Sequence, residues 1–377
     1  MKKCLFILIA FAVLSARAET QYVDLSAPDK AVVDSMIAAA GEVVAMPCLY
    51  ASQDQYGAPI TVSGKIYFPK SGRAKQWVLE PHYTITSTKE CPSECDMPEA
   101  VLRDKGYALV MPDYIGYGVT RATNHPYLHY SLAARNTLDL YLAAHAFLES
   151  LDLLPENDSL LLVGFSQGAQ SALGTLQLLE TEYPEIPVAY CYLGGGPYDV
   201  ATTYDVSIAK NAAGLACTIP MLIMGTSWSY DLGLDPYYFM NRKTVRRAEK
   251  YIFSKDYTIT SIVLLGRLGW SKKVSSYMTS EGMDKSLPET RTLYEGLLRS
   301  SIVHVSETDT ILGDWTPRTP LYISHSTQDD VVPFENAQSL RMMLETKGVT
   351  DVEYDFGQYG GHLPSMLRFM DIIKQRL

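Results

Sequence analysis

Residues 161–174, LLVGFSQGAQSALG, set a serine between two glycines as Gly164-Phe165-Ser166-Gln167-Gly168. The run before Gly164 is short and apolar, as a strand covered on both faces is, and the run after Gly168 has helical periodicity. At such a strand-to-helix corner a serine is held in a strained backbone conformation with its hydroxyl above the sheet. The helix behind it favours negative charge. Glycines at 164 and 168 leave space where side chains would strike the neighbouring strand or helix. The chemistry this suits is nucleophilic attack. A serine alcohol needs a base to take its proton, and the base needs an acid to orient it.

Around this kind of corner the three groups follow one another as Ser, then Asp or Glu, then His. The chain can be tested against that order. Only His304, His325 and His362 follow Ser166. The candidate acids, Asp329 and Asp330, lie just past the strand-like run PLYISHS, in the turn before a helix. His325 precedes them, and His304 falls in a helical block. His362, on the glycine-flanked loop YGGHLPS, alone satisfies the order. The amide of Gln167, next after the nucleophile, is expected to hold a developing oxyanion.

The elements that position these residues alternate. Strand-like runs are EVVAMPCLYAS, ITVSGKIYFP, QWVLEPHYT, YALVMPDY, SLLLVGF, VAYCYLGG, PLYISHS and VEYDFGQY. The first two alternate in polarity and are close enough for an antiparallel hairpin; the later ones read as covered strands. Helices are expected at PEAVLRDKG, SLAARNTLDLYLAAHAFLESL, GAQSALGTLQLLETEY, FENAQSLRMMLETKG and HLPSMLRFMDIIKQRL. The pattern implies an α/β fold, a mostly parallel sheet flanked by helices. Residues 199–313 break the alternation with a mostly helical block. It reads as an inserted helical cap between a first core part, 19–198, and a second, 314–377. The apolar residues of YTITSIVLLGRLGWS are expected to be buried in it, with Leu264, Leu265 and Trp270 against a substrate chain.

HSTQDDVVPFENA resembles the acid turn of the α/β hydrolases, H-G-x-x-D-x-x-V-P, with Ser326 where glycine is common. That register puts the acid on Asp329 and makes Asp330 a solvated neighbour. A narrower resemblance is to the secretory lipase (lipase A-like) family, carried by MPDYIGYG at 111–118, HPYLHY at 125–130, GFSQGAQ at 164–170 and the two late loops. It covers most of the chain, the cap only in position, and implies an α/β-hydrolase fold and carboxylester hydrolysis. It also implies that Thr84, in His82-Tyr83-Thr84, supplies the second oxyanion amide. Tyr83 departs from the glycine relatives often carry there. His82 itself is expected to be structural.

The chain opens MKKCLFILIAFAVLSARAET. Lys2 and Lys3, the apolar run Cys4–Leu14 and the small residues Ala16 and Ala18 read as an export signal over 1–18. The expected location is periplasmic or secreted. Without that segment the basic residues fall from 32 to 29 against 42 acids, and the formal charge from −10 to −13. That balance disfavours nucleic acid and anionic membranes as partners. Cys91 and Cys95 are spaced to bridge a loop, and two thiols fit as well. No stable membrane span, metal or organic cofactor is expected, and oligomeric state is open.

These features favour a secreted serine hydrolase of carboxylic esters acting on a small-molecule or lipid ester. A peptidase or acyltransferase could use the same triad. The usual prolyl-type peptidase has a large N-terminal propeller, and only about forty residues precede the first strand here. The aromatic stretch SWSYDLGLDPYYFM keeps acetyl or feruloyl esters of polysaccharide open. A binding module without activity would have no use for an ordered Ser, Asp and His.

Overall fold

A computed structural model describes residues 20–98, 100–305 and 315–377. The expected export signal, and residues 306–313 of the expected cap, lie outside them. One sheet organises the chain. Its strands are β1 (Val23–Asp24), β2 (Val43–Gln53), β3 (Pro59–Pro69), β4 (Gln76–Leu79), β5 (Ala108–Pro112), β6 (Asn157–Phe165), β7 (Val188–Gly194), β8 (Leu321–Ser326) and β9 (Val352–Gly357). They lie in the order β1-β2-β3-β5-β4-β6-β7-β8-β9. β2 and β3 form the expected antiparallel hairpin, and β3 is antiparallel to β5. From β5 to β9 every pairing is parallel.

Strand alternation divides the core between the two faces of this sheet. Trp77, Leu79, Leu160 and Leu162 point to one face. There they meet α1 (Lys30–Ala39), α2 (Tyr130–Ser150) and α3 (Gln167–Glu182). Val78, Leu161 and Val163 point to the other face, where Phe369 and Ile373 of the C-terminal helix cover them. The loop before β5 adds Ala100 and Leu102 to that second face. This loop was expected to be a helix over PEAVLRDKG. Instead its described residues make a 3-10 turn, Arg103–Lys105, closed by Gly106 at φ 83°. So short a segment gains little from helix nucleation, and its apolar residues are used as a plug. Cys91 and Cys95 are not bridged. The Cys91 thiol donates to the Thr88 carbonyl at 2.9 Å.

Between β7 and β8 the chain leaves the sheet. It builds α4 (Val200–Ala209), α5 (Thr218–Tyr230), α6 (Pro236–Phe239), α7 (Arg242–Ala248), α8 (Ile259–Leu264) and α9 (Pro288–Arg299). After β8 come α10 (Glu335–Thr346) and α11 (His362–Arg376). Helices α4–α9 pack around their own apolar cluster, including Met221, Phe239, Val245, Ile262 and Leu293, which Tyr127 and Leu128 join from outside the block. The expectation that YTITSIVLLGRLGWS is buried holds only for part of it. Ile262 and Leu268 are enclosed, but Leu264, Leu265 and Trp270 are 43%, 61% and 74% exposed. The reason is local. Helix α8 has six residues, so one edge alone can face the cluster, and Gly266 at φ 55° turns the chain away. Among the described residues no helix is long and apolar enough to cross a membrane.

Candidate active site

β6 runs directly into α3, and Ser166 is the corner between them. Its backbone sits at φ 56° and ψ −125°, a region costly for any residue with a Cβ. The flanking glycines are sterically required. A Cβ on Gly164 would lie 2.2 Å from the Gly168 carbonyl oxygen, and one on Gly168 would lie 2.1 Å from that of Pro81. The first contact is with the start of the helix. The second is with the loop after β4, so the same glycine lets that loop approach the corner.

The three residues picked out by chain order come together. The Ser166 hydroxyl donates to His362 Nε2 at 2.9 Å, and His362 Nδ1–H donates to Asp329 Oδ2 at 2.7 Å. The other Asp329 oxygen, Oδ1, accepts the Val331 and Val332 amides, each at 2.9 Å. The Asp329 side chain is fully buried. Burial raises the cost of its charge, yet the His362 and His325 imidazoles and the Val331 amide outweigh this and hold the carboxyl below its usual range. The Phe165 ring packs on the His362 ring with centroids 4.9 Å apart.

Asp330 is more than a solvated neighbour. Its Oδ1 accepts the backbone N–H of His362 at 3.1 Å, which fixes the start of α11. His325 stays inside the acid turn, where its Nε2–H donates to the Val332 carbonyl at 3.0 Å. His304 pairs instead with Asp199, at 3.0 Å. His82 is buried, with its ring 4.3 Å from that of Tyr114, as a structural histidine is.

Gln167 is the first residue of α3, so its backbone N–H has no partner within the helix. Thr84 is buried on the loop after β4, and its hydroxyl pairs with that of Tyr127 at 2.8 Å.

One residue escaped the sequence reading. His125 Nδ1–H donates to the Ile115 carbonyl at 2.7 Å, which leaves Nε2 to accept from the Gln167 side-chain amide at 3.2 Å. Burial pushes this imidazole down to about 3, so it stays neutral. Gly116 permits the arrangement, because a Cβ there would sit 2.7 Å from the His125 Cα. Both residues lie in the segments MPDYIGYG and HPYLHY. The signal was therefore present, but its partner lay 42 residues away. Beside His125 is a cavity whose walls include Tyr117 and Tyr127 from the core and Met221, Trp228 and Phe253 from the inserted helices.

No family model matches the chain. It is 27% identical over 238 residues to the secreted triacylglycerol lipase LIP5 of Malassezia furfur, covering 62% of this chain and 55% of that one. The chain thus spans about half the length of this relative. The rice cell wall degrading esterase LipA from Xanthomonas oryzae superposes with a TM-score of 0.75 at 22% identity, over 94% of this chain and 93% of that one. Candida antarctica lipase A gives 0.63 at 17% identity, over 89% and 79%. The sheet order, the corner serine and these likenesses agree, and the chain has the α/β-hydrolase fold, shared with proteins named as lipases and esterases.

Proposed function

We propose that this protein is an exported serine hydrolase that cleaves carboxylic esters through an acyl-enzyme. The observation that carries the reading is the unbroken chain of hydrogen bonds from a strained Ser166 through His362 to a buried Asp329. His362 Nε2 takes the Ser166 proton as Oγ attacks the ester carbonyl. Asp329 keeps the Nδ1 proton in place and balances the imidazolium. The amides of Gln167 and Thr84 receive the oxyanion. The imidazolium then protonates the departing alcohol, and water releases the acid by the same steps. Export is supported by the basic-apolar start of the sequence and by the secreted relative.

Residues 199–313 act as a cap in this reading. The chain order supports it: the block leaves from the end of β7, the neighbour of the strand that carries Ser166, and returns to β8, the next strand beyond. In this reading the apolar side chains where the block meets the core beside His125, among them Tyr127, Trp228 and Phe253, line the way to the acyl group. A fluorophosphonate probe tests the nucleophile: it should label the wild type and spare Ser166→Ala, and equal labelling of both would refute the proposal. A panel of p-nitrophenyl esters from acetate to palmitate, with methyl ferulate, assigns the acyl class.

A further inference from the structure

The net charge of the chain hides a local inversion. Residues 241–273 hold nine Lys or Arg against two acids, a local charge of +7 in a chain of −10. Arg242, Lys243, Arg246, Lys250, Lys272 and Lys273 are all exposed. Among the described residues none of these six is in an ion pair. The same segment carries four of the nine large apolar side chains that are exposed among the described residues: Val263, Leu264, Leu265 and Trp270. Single exposed leucines need no explanation, but four apolar side chains within eight residues do.

The cations and the apolar tip lie on segments that touch one another. The Arg247 guanidinium donates to the Leu268 carbonyl at 3.1 Å, and Arg267 lies 5.1 Å from the centre of the Tyr251 ring. These contacts tie α7 and the turn after it to the loop 266–273. The surface is also tied to the candidate active site. The Ile259 amide, which opens α8, donates to Glu90 at 3.0 Å, and the Thr86 hydroxyl donates to the Tyr257 carbonyl at 2.8 Å. Both partners lie on the loop that carries Thr84. Helix α8 then spans about 9 Å to the exposed leucines, at 1.5 Å per residue.

We propose that residues 241–273 dock this protein onto an anionic lipid surface. Leu264, Leu265 and Trp270 enter the headgroup boundary, and the surrounding Lys and Arg meet the phosphates. A merely solvated basic face would not carry leucines and a tryptophan at its tip. A soluble polyanion would use the cations and leave the apolar tip in water. An anionic bilayer uses both, with tryptophan at the depth it favours. Docking this way brings the rim of the candidate active site to the lipid. The purpose of docking rests on the ester-hydrolase reading, whereas the binding itself does not.

The test is co-sedimentation of the whole protein, as its host processes it, with phosphatidylglycerol or phosphatidylcholine vesicles. Wild type and Ser166→Ala should bind phosphatidylglycerol vesicles at least about tenfold more strongly than phosphatidylcholine, and binding should weaken with salt. Replacing Lys272 and Lys273 together by Ala should lower partitioning about thirtyfold, near a factor of five per cation. Leu265→Ser with Trp270→Ser should lower it about tenfold or more. All these variants, Ser166→Ala apart, should hydrolyse a soluble acetate ester like the wild type. Equal binding to both lipids, or wild-type binding by the variants, would overturn the docking proposal. So would a dimer in sedimentation equilibrium that Trp270→Ser dissociates, because a second copy would then cover the patch. Failure of the ester-hydrolase reading looks different: vesicles would be bound but no ester cleaved.

Discussion

Asp329→Asn distinguishes an orienting carboxylate from a packed side chain. In the wild type Asp329 Oδ2 accepts His362 Nδ1–H at 2.7 Å, while Oδ1 accepts two amides, Val331 and Val332. An asparagine can place only one oxygen. If its NH₂ took the Oδ1 position, it would confront two N–H donors. If it took the Oδ2 position, it would confront one, on a ring that can change tautomer. The second arrangement costs less, so the imidazole gives up its Nδ1 proton and carries one on Nε2. That nitrogen then donates to Ser166 Oγ instead of accepting from it, and the base is lost. The expected fall in kcat is on the order of 10⁴, about 5.5 kcal/mol of barrier, with KM nearly unchanged. Asp330→Asn is the control. Its side-chain oxygen still accepts the His362 amide at 3.1 Å, so kcat should stay within about twofold. Steady-state hydrolysis of p-nitrophenyl butyrate by both variants decides the matter. A loss below tenfold for Asp329→Asn, or the larger loss for Asp330→Asn, would refute the reasoning.

Other outcomes follow from the same contacts. His125→Leu leaves the buried Gln167 side-chain amide without its acceptor, and kcat should fall up to about a hundredfold while fluorophosphonate labelling persists; an unchanged kcat would show that Gln167 needs no such support. Burial pushes Glu90 up to about 7, so its contribution to stability is present below its unfolded value near 4.5 and is lost as pH rises through 7. Glu90→Gln should therefore abolish a difference of about 3 kcal/mol between urea unfolding at pH 4 and pH 8, and an unaltered slope would remove Glu90 as its source. Trp228→Ala or Phe253→Ala should change the preference between long and short soluble esters, near fourfold for each methylene affected, whereas Leu264→Ser should leave it alone. A profile that moves with Leu264 and not with Trp228 would put the acyl group elsewhere.

What could be read from the sequence was what is local or ordered. The corner at Ser166 is a contiguous strand, turn and helix, so its steric demands are written in adjacent letters. Asp329 and His362 could be singled out as partners for Ser166 because chain order and the spacing from His325 restrict the choices, and hydrogen bonds join the three. The eight strand-like runs became strands, and the strand they missed, β1, has two residues and no pattern to show. Failures came where the same composition serves different ends. The apolar residues of PEAVLRDKG fill one face of the sheet from a loop, and α8 shows half its apolar residues to water because periodicity cannot say whether a partner exists. His125 was silent because its meaning is a contact with Gln167 made only by the fold.

Parallel pairing explains how residues so far apart in sequence meet. Ser166 and His362 are separated by 196 positions, yet both follow the C-terminal ends of parallel strands, as do Thr84 and Asp329. Strands β4, β6, β8 and β9 point the same way, so their trailing loops must open on one side of the sheet. The block inserted after β7 leaves from that side as well and cannot cover the opposite edge. The ester-hydrolase reading then puts a constraint on the cap. On that reading the block must admit a substrate to a serine that is 7% exposed while one stretch of it, residues 241–273, faces solvent with a charge opposite to that of the chain. A cap under both demands has to divide its apolar residues, some turned inward beside His125 and some outward beside the cations. Trp228 and Phe253 take the first position, and Leu265 and Trp270 take the second.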